Sequence, residues 1–292
     1  MNTTEVNKLF ERELTLMESY IGVVRTSIMY PVYVPSKGRA DKRITTKFLE
    51  DAKISFYVVV EPQDAAKYLE NYLPEQVLVM KENDQGIAYA RNFCKEHSQF
   101  NGDKYHWQID DNIHNVGYRF NGKNRKASAD LILGTAEEFV NKFDNVGGAS
   151  LSHNMFAFAK KNSLDINKQV YSCALFCNNV PCSWKQDVIE DTDYSLQLLS
   201  NGYVTFLFNR LIMNKMATGV LKGGNTEISH GGNRRLLRSQ KLAEYWPGWF
   251  KITEQYGRVK VAPSRIWKTF TQDPILKGEP AKPNTDITEF YG

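Results

Sequence analysis

The stretch YHWQIDDNIHNV, residues 105–116, decides the fold that we expect for this chain. Over 105–109, aromatic and apolar residues alternate with polar ones, which is the period of a half-buried strand. Oxygen-bearing side chains follow at once on Asp110, Asp111 and Asn112. Because ligands in open α/β sheets lie beyond the carboxyl ends of strands, the triplet predicts a divalent-metal site that holds a diphosphate. An acidic turn is the alternative, since Asp and Asn also favour turn conformations.

Strand and helix patterns alternate before this stretch. The apolar runs MYPVYVP (29–35), ISFYVVV (54–60) and VLVM (77–80) predict strands, and helical patterns lie at 44–52, 64–72 and 83–96. The near-continuous apolar run at 54–60 indicates burial on both faces, as in a parallel sheet. This alternation predicts an α/β fold with a mostly parallel sheet flanked by helices. Downstream we expect a helix at 131–145 with a capping-type start at Thr135 and Glu138, and strands at 146–152, 171–177 and 204–214.

A short basic loop, PSKGR at residues 35–39, connects the first predicted strand to a helix. It offers backbone N–H groups and two cations to a phosphate or a nucleotide. An ordinary βα turn would also favour its Ser and Gly. Further along, Gly86 can lead a helix that carries Arg91 in its first turns, where Arg91 could meet a phosphate or a ribose.

The composition sets broad limits on the class of protein. The 292 residues, 42% hydrophobic and 12% aromatic, suffice for one large domain or two small ones. A net charge of +4 and a pI of about 8.7 permit an anionic partner without requiring one. The four cysteines lack a standard zinc spacing and are expected to be reduced thiols of a cytoplasmic protein. No signal peptide or apolar run near the ~20 residues of a membrane span is evident, so we expect no membrane partner.

Several of these motifs together resemble a known family. They are VPSKGR (34–39), Glu61 after the second strand, NDQGIAYARN (83–92), IDDN (109–112) and IEDTDYSLQLLSNGY (189–203). Over about residues 28–250 the chain resembles the Rossmann-like GT-A-fold glycosyltransferases, and most closely the phage family of TET-associated glycosyltransferases. That family modifies hydroxymethylated pyrimidines in DNA. The resemblance implies a UDP-sugar as donor and Mn2+ or Mg2+ as cofactor.

The resemblance also implies which residues bind donor and metal. The expected nucleotide-sugar site consists of Pro35, Ser36, Lys37, Arg39, Glu61, Gly86, Arg91, Asp110 and Asp111. The expected metal ligands are Asp110, Asp111, Asn112 and a late histidine, His230. The family motif is Asp-x-Asp, whereas Asn112 stands third here, so which of the three contacts the metal stays open.

The stretch 189–203 is the second chemical centre. Acidic residues at the start of its predicted helix are favourable to the helix dipole, and that alone could explain them. The resemblance instead implies that an acid of this motif is the general base for the acceptor hydroxyl. We expect Asp191 in this role, with Glu190 as the second choice. Inversion at the sugar follows only if Asp191 is the base.

The chain after residue 215 is rich in basic, glycine and aromatic residues. A glycine-rich loop at 218–235 could order over a bound nucleotide sugar. Basic groups could neutralise DNA phosphates and aromatic faces could stack on bases, or this could be a solvated face over an ordinary core. The expected acceptor residues are Arg234, Arg235, Arg238, Trp246 and Trp249.

The expected organisation has three parts. Residues 1–27 form a helical appendage, 28–232 the catalytic domain, and 233–292 a basic aromatic region that packs on it and ends in an extended tail. The expected activity is sugar transfer from a UDP-sugar to 5-hydroxymethylcytosine in DNA, in the cytoplasm of an infected host cell. Cytosine or uracil as the acceptor base, and the sugar itself, stay open. The alternatives are a glycosyltransferase with a non-DNA acceptor such as a polysaccharide, and a non-catalytic nucleic-acid-binding module.

Overall fold

The strand at residues 105–109 lies near the middle of a ten-stranded sheet, and all five of its residues are buried. This arrangement comes from a computed structural model, which describes residues 1–21, 27–216, 234–255, 258–263 and 266–278. His230, Lys222 and most of the glycine-rich loop lie outside the described residues.

The sheet contains the strands β1 (Val32–Pro35), β2 (Phe56–Val60), β3 (Val77–Val79), β4 (Tyr105–Ile109), β5 (Ile113–Phe120), β6 (Lys123–Lys126), β7 (Val146–His153), β8 (Leu164–Ile166), β9 (Cys173–Cys177) and β10 (Val204–Lys215). The order is β3-β2-β1-β4-β9-β7-β10-β5-β6, with β8 paired to β10. β3, β2, β1 and β4 are parallel neighbours, and β9 is antiparallel to both β4 and β7. Because β10 is parallel to β7, it also runs in the direction of β4. The predicted α/β fold with a mostly parallel sheet is therefore confirmed.

Helices flank the sheet. They are α1 (Thr3–Ser19), α2 (Ile44–Asp51), α3 (Ala65–Leu69), α4 (Gly86–Phe100), α5 (Ala129–Val140), α6 (Asn154–Ala157), α7 (Glu190–Ser200) and α8 (Arg234–Tyr245). Gly86 has a φ of +80°, a conformation that suits glycine, so it can turn the chain directly into α4. α7 ends at Asn201 and Gly202, and Gly202 also has a φ of +80°.

An aromatic core joins α1 and α5 to the sheet. The ring of Phe10 in α1 lies 4.9 Å from that of Phe139 in α5 and 4.8 Å from that of Phe208 in β10. Glu137 accepts hydrogen bonds from Trp107 Nε1 at 2.8 Å and from the Met29 backbone N–H at 2.6 Å. Burial raises the pKa of Glu137 to about 7, despite these donors. α1 is therefore integrated into the same core as the sheet.

Two predictions of local structure are wrong. α5 begins at Ala129 after Ser128, so Thr135 lies inside the helix, where its hydroxyl donates to the Leu131 carbonyl at 2.7 Å. The helix ends at Val140, and beyond it the Asp144 N–H donates to the Ile275 carbonyl of the C-terminal segment at 2.9 Å. The β5–β6 hairpin, β8 and the C-terminal hairpin β11 (Phe250–Gln255) with β12 (Arg258–Pro263) were not predicted.

Candidate active site

The loops after β1 and β4 meet at the carboxyl ends of these parallel strands, and Asp111 joins them. Ser36 Oγ donates to Asp111 Oδ2 at 2.7 Å, and Arg39 Nη1 donates to Asp111 Oδ1 at 2.6 Å. Burial raises the pKa of Asp111, although Arg39 and Ser36 oppose that effect. The predicted phosphate loop and the predicted acidic triplet therefore form one site.

Asp110 is paired with two cations. Lys215 Nζ, at the end of β10, lies 2.6 Å from Asp110 Oδ2 and also donates to Ser172 Oγ at 2.9 Å. Arg91 Nη2 donates to Asp110 Oδ1 at 3.3 Å. Burial alone would raise the pKa of Asp110, but Lys215 and Arg91 outweigh burial and hold it below its ordinary value. Asp110 is therefore an ionised carboxylate at neutral pH.

The Asp191 carboxylate contacts the same nitrogen of Arg91. Arg91 Nη2 is 3.3 Å from Asp191 Oδ1, and only 3% of the Arg91 side chain is exposed. Burial raises the pKa of Asp191 to about 7, with Arg91 opposing. Asp191 Oδ1 is buried and accepts no hydrogen bond within the described structure.

The remaining acids of α7 are held by the C-terminal segment. Arg238 on α8 donates to the Val188 carbonyl at 2.7 Å and pairs with the Glu190 carboxylate. Trp246 Nε1 donates to Asp193 Oδ1 at 2.8 Å, and Asp193 is fully buried. Arg238 and Trp246, which we expected to contact the acceptor, therefore lie against the acidic start of α7.

The other expected acceptor residues lie on or near α8. Arg234 and Arg235 are exposed in its first turn. The Trp249 ring lies 5.4 Å from that of Trp246 and 5.5 Å from that of Phe270, so these rings form a cluster.

Lys37 and Glu61 form the far rim of the site. Lys37 Nζ lies 2.8 Å from Glu61 Oε2 and also pairs with Asp84. Glu61 is only 4% exposed at the end of β2, and these carboxylates outweigh the effect of burial and raise the pKa of Lys37. Pro35 closes β1, where it pairs in register with Val59.

The donor set of the acidic triplet suits a hard divalent cation. Asp110 and Asp111 supply carboxylate oxygens, and Asn112 Oδ1 is buried without a hydrogen-bond partner in the described structure. Within the described residues, no group of three His, Cys, Asp or Glu side chains could by itself hold a metal ion. His230 lies outside them. A metal that coordinates Asp110 would compete with Lys215 for its oxygens.

Two polar residues of the site were not predicted from the sequence. Lys215 follows the predicted strand 204–214 directly, so a cation at the carboxyl end of a strand was the available signal. Ser172 has a φ of +57° and precedes β9, and nothing in the local sequence marked it.

No helix in the described parts of the chain has the length and apolar character needed to cross a membrane. No curated protein sequence matches this chain significantly. Among solved structures, the crystal structure of GalNAc-T7 with UDP, GalNAc and Mn2+ is similar, with a TM-score of 0.47 and 8% identity. The match covers 76% of this chain and 48% of that one, so this chain spans about half the length of that relative.

A match to a protein-family model identifies the family of this chain. The TET-Associated Glycosyltransferase model matches residues 30–224, more than half of the 292 residues. The match includes β1 to β10 and every carboxylate described above. The chain therefore belongs to the TET-associated glycosyltransferase family, as its motifs predicted.

Proposed function

We propose that this protein transfers a sugar from a UDP-sugar to the hydroxymethyl group of a modified pyrimidine in DNA. In this proposal the favoured acceptor base is 5-hydroxymethylcytosine, and the transfer takes place in the cytoplasm of an infected host cell. The observation that carries the proposal is the position of Arg91, whose Nη2 lies 3.3 Å from both Asp110 Oδ1 and Asp191 Oδ1. One buried guanidinium thus joins the acids at the strand ends to the acids of α7.

The cations around the triplet support a nucleoside diphosphate sugar as donor. Arg39, Arg91 and Lys215 all contact Asp110 or Asp111, so they line the place where a leaving diphosphate would gain charge. Ser36 and the backbone of the loop 35–39 would bind phosphate oxygens. The choice of UDP rests on the resemblance to the family.

A divalent metal, Mn2+ or Mg2+, would be held by Asp110, Asp111 and Asn112, with His230 as a further ligand. When bound, it supplies positive charge to the diphosphate. Asp110 suits this role because its pKa is held below the ordinary value, so it keeps its negative charge.

Asp191 has the features of a general base. Its raised pKa of about 7 lies close to the operating pH, where a base is most effective. The acceptor oxygen bonds to the anomeric carbon while its proton moves to Asp191 Oδ2. The bond from the anomeric carbon to the phosphate oxygen breaks, and its electron pair leaves with the diphosphate. Neighbouring carboxylates with pKa values shifted in opposite directions support separate roles for Asp110 and Asp191.

The C-terminal segment holds the start of α7. Arg238 pairs with Glu190, and Trp246 donates to Asp193. In this proposal, Arg238 and Trp246 are positioning residues for the base. Arg234 and Arg235 lie exposed at the start of α8, where this proposal places DNA phosphates.

The proposal is tested by incubating the protein with Mn2+, a panel of UDP-sugars and duplex or single-stranded DNA. The DNA contains 5-hydroxymethylcytosine, 5-hydroxymethyluracil or unmodified bases. Mass spectrometry of the digested nucleosides should show one added sugar on 5-hydroxymethylcytosine and none on cytosine. Donor hydrolysis without any DNA product, in every DNA tested, would contradict a DNA acceptor and leave a non-DNA acceptor as the better interpretation.

A further inference from the structure

Two segments beside the active site carry basic and no acidic residues. They are residues 113–126, which form the β5–β6 hairpin, and residues 153–161, which contain α6. Their cations are Arg119, Lys123, Arg125, Lys126, Lys160 and Lys161. We call these two segments together the edge surface. Neither belongs to the donor site.

Hydrogen bonds between asparagine side chains connect the two segments of the edge surface. Asn124 Nδ2 donates to Asn154 Oδ1 at 2.7 Å, and Asn154 Nδ2 donates to Asn214 Oδ1 at 3.0 Å. Asn214 Nδ2 in turn donates to Asn115 Oδ1 at 2.7 Å. The chain of amides runs from the edge strand to α6 and then to β10. Lys215, which contacts Asp110, is the next residue after Asn214.

Large apolar side chains project from α6 and the residue after it. Met155 is 60% exposed, Phe156 is 56% exposed and Phe158 is 66% exposed. The Phe156 ring lies 5.5 Å from the ring of His153, which ends β7. Contiguous exposed apolar side chains mark surfaces to which a partner binds, because the partner removes their apolar area from water. Rings of this kind stack on nucleic-acid bases.

The cations of the edge surface are only partly neutralised. Lys160 pairs with Asp165 at 2.8 Å, and Arg125 pairs with Glu18. Within the described residues, Arg119, Lys123, Lys126 and Lys161 have no carboxylate partner. These cations are thus available to an anionic ligand.

A like-charge pair adds to this positive potential. The register of Leu211 with Tyr118 sets Arg210 of β10 opposite Arg119 of β5. Like charges opposite one another are unfavourable unless an anion lies near them. Burial lowers the pKa of Arg210 and Arg119 lowers it further, while Glu11 opposes both effects without cancelling them. A phosphate group near these arginines would relieve the repulsion.

We propose that the edge surface binds the acceptor DNA strand, with its cations on phosphates and Phe156 and Phe158 stacked on bases next to the one that receives the sugar. The inference rests on the proposed DNA acceptor and adds the place where that acceptor lies. A base must leave the duplex stack before its substituent can reach a buried site, and aromatic side chains stabilise such unstacked strands.

The test measures DNA binding apart from catalysis. Fluorescence anisotropy with a labelled single-stranded oligonucleotide containing 5-hydroxymethylcytosine compares wild type with the double variant Phe156→Ala and Phe158→Ala. Each lost stack should raise the Kd by about 5- to 160-fold, so the double variant should lose at least about 30-fold. Phe156→Trp should keep near-wild-type affinity. Phe100→Ala, at a ring that is 90% exposed on α4, is the matched control and should leave the Kd unchanged.

The charge of the edge surface is tested in the same assay. Lys126→Glu with Lys161→Glu should weaken binding and reduce the magnitude of the salt slope by about 1.4, the loss of two phosphate contacts on a single strand. Lys47→Glu with Lys67→Glu, on α2 and α3, is the matched control with an equal change in net charge. The Kd for UDP, measured by calorimetry, should be unchanged in all these variants.

The outcomes separate this inference from the proposed function. Sugar transfer to DNA with unchanged Kd values in both double variants would overturn the edge surface and leave the DNA acceptor intact. Wild-type protein that hydrolyses a UDP-sugar but neither binds nor modifies DNA would overturn both. Weaker DNA binding by both double variants, with normal UDP binding and normal controls, supports the edge surface.

Discussion

The Lys215 ammonium lies 2.6 Å from Asp110 Oδ2 and joins the end of β10 to the end of β4. Asp110 attracts Lys215 strongly enough to outweigh burial, and the pKa of Lys215 is raised above its ordinary value. Lys215 thus supplies positive charge to the same carboxylate that we assign to a divalent metal. A cation and a metal on one carboxylate compete, and the competition can be measured.

Replacing Lys215 should strengthen metal binding. Lys215→Met keeps most of the side-chain volume but frees Asp110 Oδ2 for coordination. Because a hydrogen bond to a charged group contributes about 1.5–3 kcal/mol, the Mn2+ concentration for half occupancy should fall by about 10- to 100-fold. Isothermal titration of Mn2+ into the protein without UDP measures it, and Lys161→Met is the control. Weaker or unchanged Mn2+ binding by Lys215→Met would show that Asp110 is not a metal ligand.

Replacing Arg91 should destabilise the fold. Arg91→Met leaves Asp110 and Asp191 without their shared buried partner, and breaking such a pair costs about 3–5 kcal/mol. Urea unfolding at about pH 8 measures the loss. Both acids then have higher pKa values in the folded variant than in the folded wild type. The deficit should therefore be complete above those values. Its Asp191 part should be lost as the pH falls to about 7, where Asp191 takes up a proton in the wild type too, and its Asp110 part should be lost at lower pH.

The matched control for Arg91 is Arg43→Met. Arg43 pairs with Glu50 at the surface, and 37% of its side chain is exposed. A surface pair contributes at most about 1 kcal/mol, so this variant should unfold close to wild type at every pH. An Arg91→Met protein that is as stable as Arg43→Met would contradict the buried bridge.

Much of this arrangement follows from local sequence signals, and the rest depends on contacts between distant residues. The alternation at 105–109 and the acids after it predicted β4 and the site at its end. The β5–β6 hairpin had a signal that was missed: Asn121 and Gly122 both adopt positive φ, as an Asn-Gly hairpin turn requires. The contact of Arg91 with Asp191 could not be predicted, because it joins residues of α4 and α7 that only the folded sheet brings together.

The residues predicted to bind DNA show the same limit of prediction from sequence. Aromatic and basic composition predicted a DNA surface after residue 233, yet composition cannot say which side chains are already engaged. Trp246 donates to a buried Asp193, and Arg238 donates to the Val188 carbonyl. The exposed rings of Phe156 and Phe158 follow a strand, and only their exposure distinguishes them from ordinary core residues.

The rate of transfer should depend on the ionisation of Asp191. A base must be deprotonated, so kcat should rise with pH through an apparent pKa near the value of about 7 and then level off. Lys215 lowers the pKa of Asp191, so Lys215→Met should move this rise to higher pH. Initial rates between about pH 5 and pH 9 at saturating donor measure both profiles. A rate that is flat over this range would contradict a base with a raised pKa.

The most direct measurement is the rate of sugar transfer by Asp191→Asn on DNA that contains 5-hydroxymethylcytosine. Asparagine keeps the shape of the side chain but cannot accept the proton of the acceptor hydroxyl, and a positioned base contributes about 10²–10⁴-fold to such a step. We expect kcat to fall by that factor while the Kd for UDP stays within about twofold of wild type, since Asp110, Asp111 and Arg39 are unchanged. Glu190→Gln should lower kcat by a smaller factor than Asp191→Asn. Transfer by Asp191→Asn at close to the wild-type rate would show that Asp191 is not the base, and would favour a retaining mechanism.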